Sequence, residues 1–82
     1  MSVSDGIYTI YTALDDDVCM EVYWGSKLKG ANVELWCNND ENNQHWQVTT
    51  TSGVTTIVNV NSGMFLEVCG SEDADGTNIQ QW

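Results

Sequence analysis

Two carboxylates, Glu21 and Glu34, fall in neighbouring runs of β-forming residues, and the second stands two positions before Trp36. Paired carboxylates can run glycoside hydrolysis when they flank a scissile bond inside a water-excluding cleft that splits their pKa values. A chain of 82 residues buries only about 60–65% of the surface that its unfolded form exposes. It promises no such cleft, and no catalytic residue is assigned. Cys19, Cys37 and Cys69 with His45 fit no standard zinc spacing, and an odd number of thiols leaves at least one free or bonded to another molecule. The runs Asp15-Asp16-Asp17 and Glu72-Asp73-Ala74-Asp75-Gly76 crowd carboxylates as a calcium site would. Neither completes an EF-hand loop, and solvated turns account for them. No metal and no cofactor is expected.

Charge narrows the partners further. Twelve acidic residues against two lysines, with no arginine, give a net charge of −10, which repels phosphate backbones and anionic lipid alike. Nucleic acid and membrane insertion are therefore set aside. The apolar stretches are only a few residues long, and Met1-Ser2-Val3-Ser4-Asp5 lacks the basic and apolar regions of a secretory signal.

What positions the candidate residues is a repeated unit. Gly6-Ile7-Tyr8-Thr9-Ile10 is echoed by Gly53-Val54-Thr55-Thr56-Ile57, Met20-Glu21-Val22 by Leu66-Glu67-Val68, and Gly30-Ala31-Asn32-Val33-Glu34-Leu35-Trp36 by Gly76-Thr77-Asn78-Ile79-Gln80-Gln81-Trp82. The offset is 47 residues at the first pair and 46 afterwards. The chain reads as a single module, 1–82, with a first repeat over about 6–52 and a partial second over about 53–82.

Runs rich in Val, Ile, Thr, Tyr and Trp between Asp, Asn, Gly and Ser clusters predict seven strands, near 7–13, 18–24, 32–37, 45–51, 54–60, 64–69 and 78–82. Ser52-Gly53 marks a hairpin, and no segment sustains a helical period. The fold class is all-β. Alternation along the third strand sends Val33 and Leu35 to a core face and Glu34 and Trp36 to the other, and Gln80 and Trp82 repeat the second arrangement. Tyr23-Trp24 breaks the alternation, so one of the two rings is expected outside.

Cys19-Met20-Glu21-Val22, Gly30-Ala31-Asn32-Val33-Glu34-Leu35-Trp36-Cys37 and Asn43-Gln44-His45-Trp46 resemble, in order and spacing, one repeat of the ricin-type β-trefoil lectins and family 13 carbohydrate-binding modules. Gln44-His45-Trp46 stands as their Gln-x-Trp signature. The resemblance implies a pseudo-threefold β-trefoil with a shallow sugar site on each repeat, binding galactoside- or xylan-type glycans without catalysis. It also implies a secreted or extracellular setting. The ring of Trp36 would pack on the C–H face of a sugar, and the Glu21 carboxylate would accept its hydroxyls. Glu34 occupies a position often held by Gln, and Asn43 and Gln44 match amides that close the site. Glu21 and Glu67 are each one methylene longer than the usual Asp. In the second repeat Glu67, Gln80 and Trp82 match, without a following Asn-Gln-x-Trp segment.

Structural readings stand beside these roles. Trp46 is expected in the core, Gln44 is expected to bond backbone within its own repeat, and Trp36 and Trp82 are open to either role. The resemblance pairs Cys19 with Cys37 in a disulfide and leaves Cys69 free, against the alternative of three reduced thiols. A closed trefoil has twelve strands from three repeats, so seven leave an open wall. Completion is expected from self-association as a dimer or trimer, or from a longer trefoil chain. The alternative function is a structural or assembly trefoil fragment, or an engineered repeat, with weak or lost sugar binding.

Overall fold

The computed structural model describes residues 3–71 and 73–82. Met1, Ser2 and Glu72, which include the beginning of the chain and the first carboxylate of the second acidic run, lie outside the described residues. The described chain is all-β: β1 (Gly6–Tyr8), β2 (Tyr11–Thr12), β3 (Asp15–Val22), β4 (Val33–Cys37), β5 (Trp46–Thr51), β6 (Val54–Asn59), β7 (Leu66–Val68) and β8 (Ile79–Gln81). Short 3-10 turns at Tyr23–Gly25, Asn42–Gln44 and Cys69–Ser71 join some of them.

The strands form three antiparallel sheets in the orders β1-β5-β6, β2-β3-β4 and β7-β8. The single strand expected over 7–13 divides because the chain leaves one sheet for another at Thr9-Ile10. β1 pairs with β5, whereas β2 pairs with β3, and the Ile10 carbonyl already accepts from the Met20 N–H at 2.9 Å. The β5–β6 hairpin follows the sequence signal. Ser52 and Gly53 both take positive φ, 52° and 79°, the twist that a two-residue antiparallel turn requires. Repetition survives in the register: Glu21 opposes Glu34 across β3 and β4, and Glu67 opposes Gln80 across β7 and β8.

The interior is small and unusually polar. Cys19, Val22, Trp46 and Val48 are its buried apolar residues, and Glu21, Gln44, Asn59, Gln80 and Gln81 are buried with them. Burial of these polar groups is tolerable only because each is hydrogen-bonded. Asn59 donates to the Asn43 carbonyl at 3.0 Å and accepts from the Asn61 N–H at 3.2 Å. Gln81 donates to the Ser26 and Leu28 carbonyls at 2.9 and 2.8 Å and accepts from the Ser62 hydroxyl at 2.7 Å. Gln81 is therefore the clamp by which the second repeat grips the first. Trp46 is fully enclosed, its indole N–H donating to the Met20 carbonyl at 3.1 Å.

Two expectations about packing need correction. Leu35, assigned to the core by alternation, is 53% exposed, because no described element covers the outer half of the β3–β4 hairpin. Tyr23 and Trp24 are both exposed, since β3 stops at Val22 and the chain turns away at Tyr23–Gly25. An apolar cavity of about 670 Å³, lined by Ile10, Val48 and Ile57 among others, opens along β1, β5 and β6. The sheets are not closed, as in a partial trefoil.

Candidate functional site

Beside the Glu21–Glu34 end of the β3–β4 hairpin the Tyr23–Gly25 turn, the 38–45 loop and Asn61 border an open cavity of about 530 Å³. Glu21 and Glu34 form its floor, and Tyr23, Trp24 and Trp36 its aromatic sides. Asn39, Glu41, Asn42, Asn43 and Asn61 complete the rim. The volume falls within the range of small-ligand sites.

Each wall is held by identifiable bonds. Glu21 is 5% exposed, and one of its oxygens accepts from the Gln44 amide at 3.0 Å. The Gln44 amide group is otherwise committed to the chain, donating to the Cys37 carbonyl at 2.9 Å and accepting from the Asn39 N–H at 2.9 Å. Fully buried, it ties the loop to the hairpin and aims Glu21. Asn43 donates to the Val22 carbonyl at 3.0 Å. The loop is shaped by side chains that bond backbone two residues on: Asn38 accepts from the Asp40 N–H at 2.9 Å and Asn39 from the Glu41 N–H at 3.0 Å. His45 bridges Asn42 and Asp40 at 3.0 and 2.8 Å.

The floor is electrostatically tense. Burial, a hydrogen bond with Glu21 and the charge of Glu21, in that order, raise the Glu34 pKa above the ordinary carboxylate value. Protonated Glu34 donates to Glu21; ionised, it faces a like charge. Burial above all, then the charges of Glu21 and Cys37, raises the Cys19 thiol pKa, which keeps that sulfur neutral and unreactive.

The second repeat is built from the same pattern with a different outcome. Gln80 donates to Glu67 at 2.9 Å, so amide and carboxylate satisfy each other. Trp82 lies beneath the Lys29 ammonium, 5.5 Å from its ring centre, and beside Gly30, where an added Cβ would sit 3.8 Å from the ring. The structure thus gathers Glu21, Glu34, Trp36, Asn43 and Gln44 around one cavity, with Gln44 in its supporting wall. It sets Glu67, Gln80 and Trp82 apart, at the joint between the repeats.

The expected Cys19–Cys37 bond is not formed, and all three cysteines are free. Cys19 opposes Trp36 whereas Val18 opposes Cys37. Directly opposed residues share a face and successive residues alternate, so the two sulfurs leave opposite sides of the hairpin.

Sequence reasoning missed Trp24 as a wall, although a signal existed. Trp24 has φ 54° and ψ 22°, a left-handed conformation that penalises any residue with a Cβ. Its echo in the second repeat is Gly70, with φ 64° and ψ 15°. The first repeat places a tryptophan where the backbone suits glycine, and leaves that ring 83% exposed. Strain uncompensated by burial is characteristic of a working surface.

The whole chain, residues 1–82, matches the family model described as "Ricin-type beta-trefoil lectin domain-like". The chain belongs to the ricin-type beta-trefoil lectin domain-like family. Among solved structures, this ricin-type lectin-like chain resembles the designed 3-fold symmetric protein ThreeFoil, with a TM-score of 0.75 and 26% sequence identity. The alignment covers 84% of this chain and 57% of that one. No curated protein sequence matches the chain significantly.

Proposed function

We propose that the chain is a non-catalytic carbohydrate-binding module whose ligand seats on Trp36 and Glu21. The observation that carries this reading is the pairing of a buried carboxylate fixed by Gln44 with a 57%-exposed indole in one cavity. A sugar presents a C–H face to such a ring and hydroxyls to such an acceptor. Glu34, Asn43 and the rim amides supply further polar contacts around the ring. Hydrolysis is disfavoured by geometry, since Glu21 and Glu34 stand directly opposite each other on one strand pair rather than flanking a bond. A shallow interface retains little free energy after the costs of association, which sets the expected Kd near ~1 mM. Galactosides and xylo-oligosaccharides are the first ligands to titrate. Calorimetry should show saturable binding that Trp36→Ala abolishes; binding unchanged in that variant would place the ligand elsewhere.

Assembly is the second part of the reading. Exposed Ile7, Leu35 and Phe65, together with the apolar cavity along β1, β5 and β6, form the surface that a further repeat would cover, supplied by another copy of this chain or by a longer one. Self-association would raise weak single-site binding through avidity. Sedimentation equilibrium of the 9.1 kDa chain should report a species heavier than the monomer; a compact monomer at high concentration removes this part.

A further inference from the structure

The two repeats differ at one position in a way that bears on the ligand. Both place a glutamate on the first strand of the hairpin, at Glu21 and Glu67. Opposite stands a glutamate in the first repeat and a glutamine in the second. The amide of Gln80 satisfies the half-buried Glu67 at 2.9 Å, which is the inexpensive solution for a carboxylate partly removed from water. The first repeat satisfies Glu21 from the loop instead, through the Gln44 amide at 3.0 Å, and still sets two acids against each other across the strands, an arrangement that weakens a sheet. A third carboxylate, Glu41, lines the same cavity, and no lysine, arginine or histidine is among its lining residues. Carboxylates alone would not define a site. Here they sit beneath three aromatic side chains, Tyr23, Trp24 and Trp36. Tyr23 and Trp24 meet edge to face with ring centres 6.0 Å apart, and the Trp24 backbone is held in a strained conformation that leaves its ring outside.

Aromatic faces combined with unneutralised carboxylates favour a cation, because the ring quadrupoles and the acids attract positive charge together. Resting on the carbohydrate reading above, we propose that this cavity selects a glycan carrying free, protonated amino groups, a hexosamine oligomer of the chitosan type, over neutral and N-acetylated glycans. The ammonium group sits against the opposed carboxylates of Glu21 and Glu34, while the C–H face of the sugar lies on an indole.

The test titrates the whole chain by calorimetry with a glucosamine oligomer, its fully N-acetylated counterpart and a neutral xylo-oligosaccharide, below pH 6.5 so that the amines are charged. The glucosamine oligomer should bind about tenfold more tightly than either comparator. Glu34→Gln, which copies the second repeat and preserves the shape, should lower that affinity about fivefold and lower the affinity of the neutral ligand less, so that the preference for the amine form shrinks. Asp16→Asn removes one exposed charge outside the cavity and should change neither, separating the site from general attraction to an acidic protein. Equal affinity for amine and N-acetyl forms would overturn the cationic preference while leaving the carbohydrate reading intact. An equal loss with Asp16→Asn and Glu34→Gln would also overturn it, by assigning the preference to net charge. Absence of binding to all three glycans would overturn both readings.

Discussion

Glu34→Gln also has a consequence for stability that can be worked from the structure. At neutral pH the wild-type hairpin opposes two carboxylates, at a cost of about 0.2–1 kcal/mol. The variant recreates the Gln80–Glu67 bond of the second repeat, adding a hydrogen bond with a net contribution of about 0.5–1.5 kcal/mol. The sum, about 0.7–2.5 kcal/mol of stabilisation at pH 7, corresponds to a rise of roughly 3–20 °C in Tm for a domain of this size. Its sign reverses the usual surface-carboxylate expectation. The folded-state pKa of Glu34 lies above its ordinary value of 4.5, so between those two values the folded protein holds more protons than the unfolded one. The Glu34 contribution is therefore fully present below the unfolded pKa and is lost as pH rises through the folded one. At low pH protonated Glu34 donates to Glu21 much as a glutamine would, and the variant gains little. Urea denaturation of both proteins from about pH 3.5 to pH 7 should show a difference that starts near zero and widens. A variant less stable than wild type at pH 7, or a difference independent of pH, would refute the reasoning.

Three further outcomes are expected. Gln44→Leu should destabilise the chain by about 2–4 kcal/mol in urea melts, because it strands the buried Glu21 carboxylate and the Cys37 carbonyl and frees the loop held through Asn39. Trp24→Gly should leave stability unchanged or raise it by up to about 1 kcal/mol, since glycine suits the left-handed backbone, while weakening glycan affinity several-fold in calorimetry. With a thiol reagent at neutral pH, Cys37 should react first and Cys19 only on unfolding, because Cys37 is exposed and Cys19 is buried with a raised pKa; peptide mapping that finds a Cys19–Cys37 bond would contradict the hairpin register.

Much of the fold could be read from the residues, and the parts that could not share a physical cause. The internal repeat, the Ser52-Gly53 hairpin and the common face of Glu34 and Trp36 follow from local pattern, and local pattern is what a strand pair obeys. Val22-Tyr23-Trp24 reads as strand because its side chains favour one. The backbone nevertheless turns there, with Trp24 left-handed and the Ser26 N–H closing on the Tyr23 carbonyl at 3.1 Å, a conformation invisible to strand propensity. Gly70 at the echoing position held the missing clue. Leu35 illustrates the opposite error, since alternation assigns a face and says nothing about what covers it. The cysteines could have been placed by the same rule: Glu21 and Cys19 share a face, Glu34 and Trp36 join it across the pair, and Cys37 must point the other way. Gln81 escaped notice because an amide where the first repeat has leucine reads as surface, whereas it caps the carbonyls of Ser26 and Leu28 from the interior. In the candidate site the floor and one wall were legible. Trp24, Tyr23 and Asn61 were not, because turns and a neighbouring repeat deliver them.

The four tryptophans allow a direct test of where a glycan sits, since each indole N–H gives its own signal in a nitrogen-15 correlation spectrum. Trp36 and Trp24 line the cavity, Trp46 is sealed in the core with its N–H on the Met20 carbonyl, and Trp82 lies under Lys29 at the other repeat. Titration with glucosamine and neutral oligosaccharides to about ten times the ~1 mM Kd expected of a shallow site should move the Trp36 and Trp24 signals along one saturable curve and leave Trp46 in place. Signals that stay fixed throughout, or a shift confined to Trp82, would contradict a carbohydrate site built on Trp36 and Glu21.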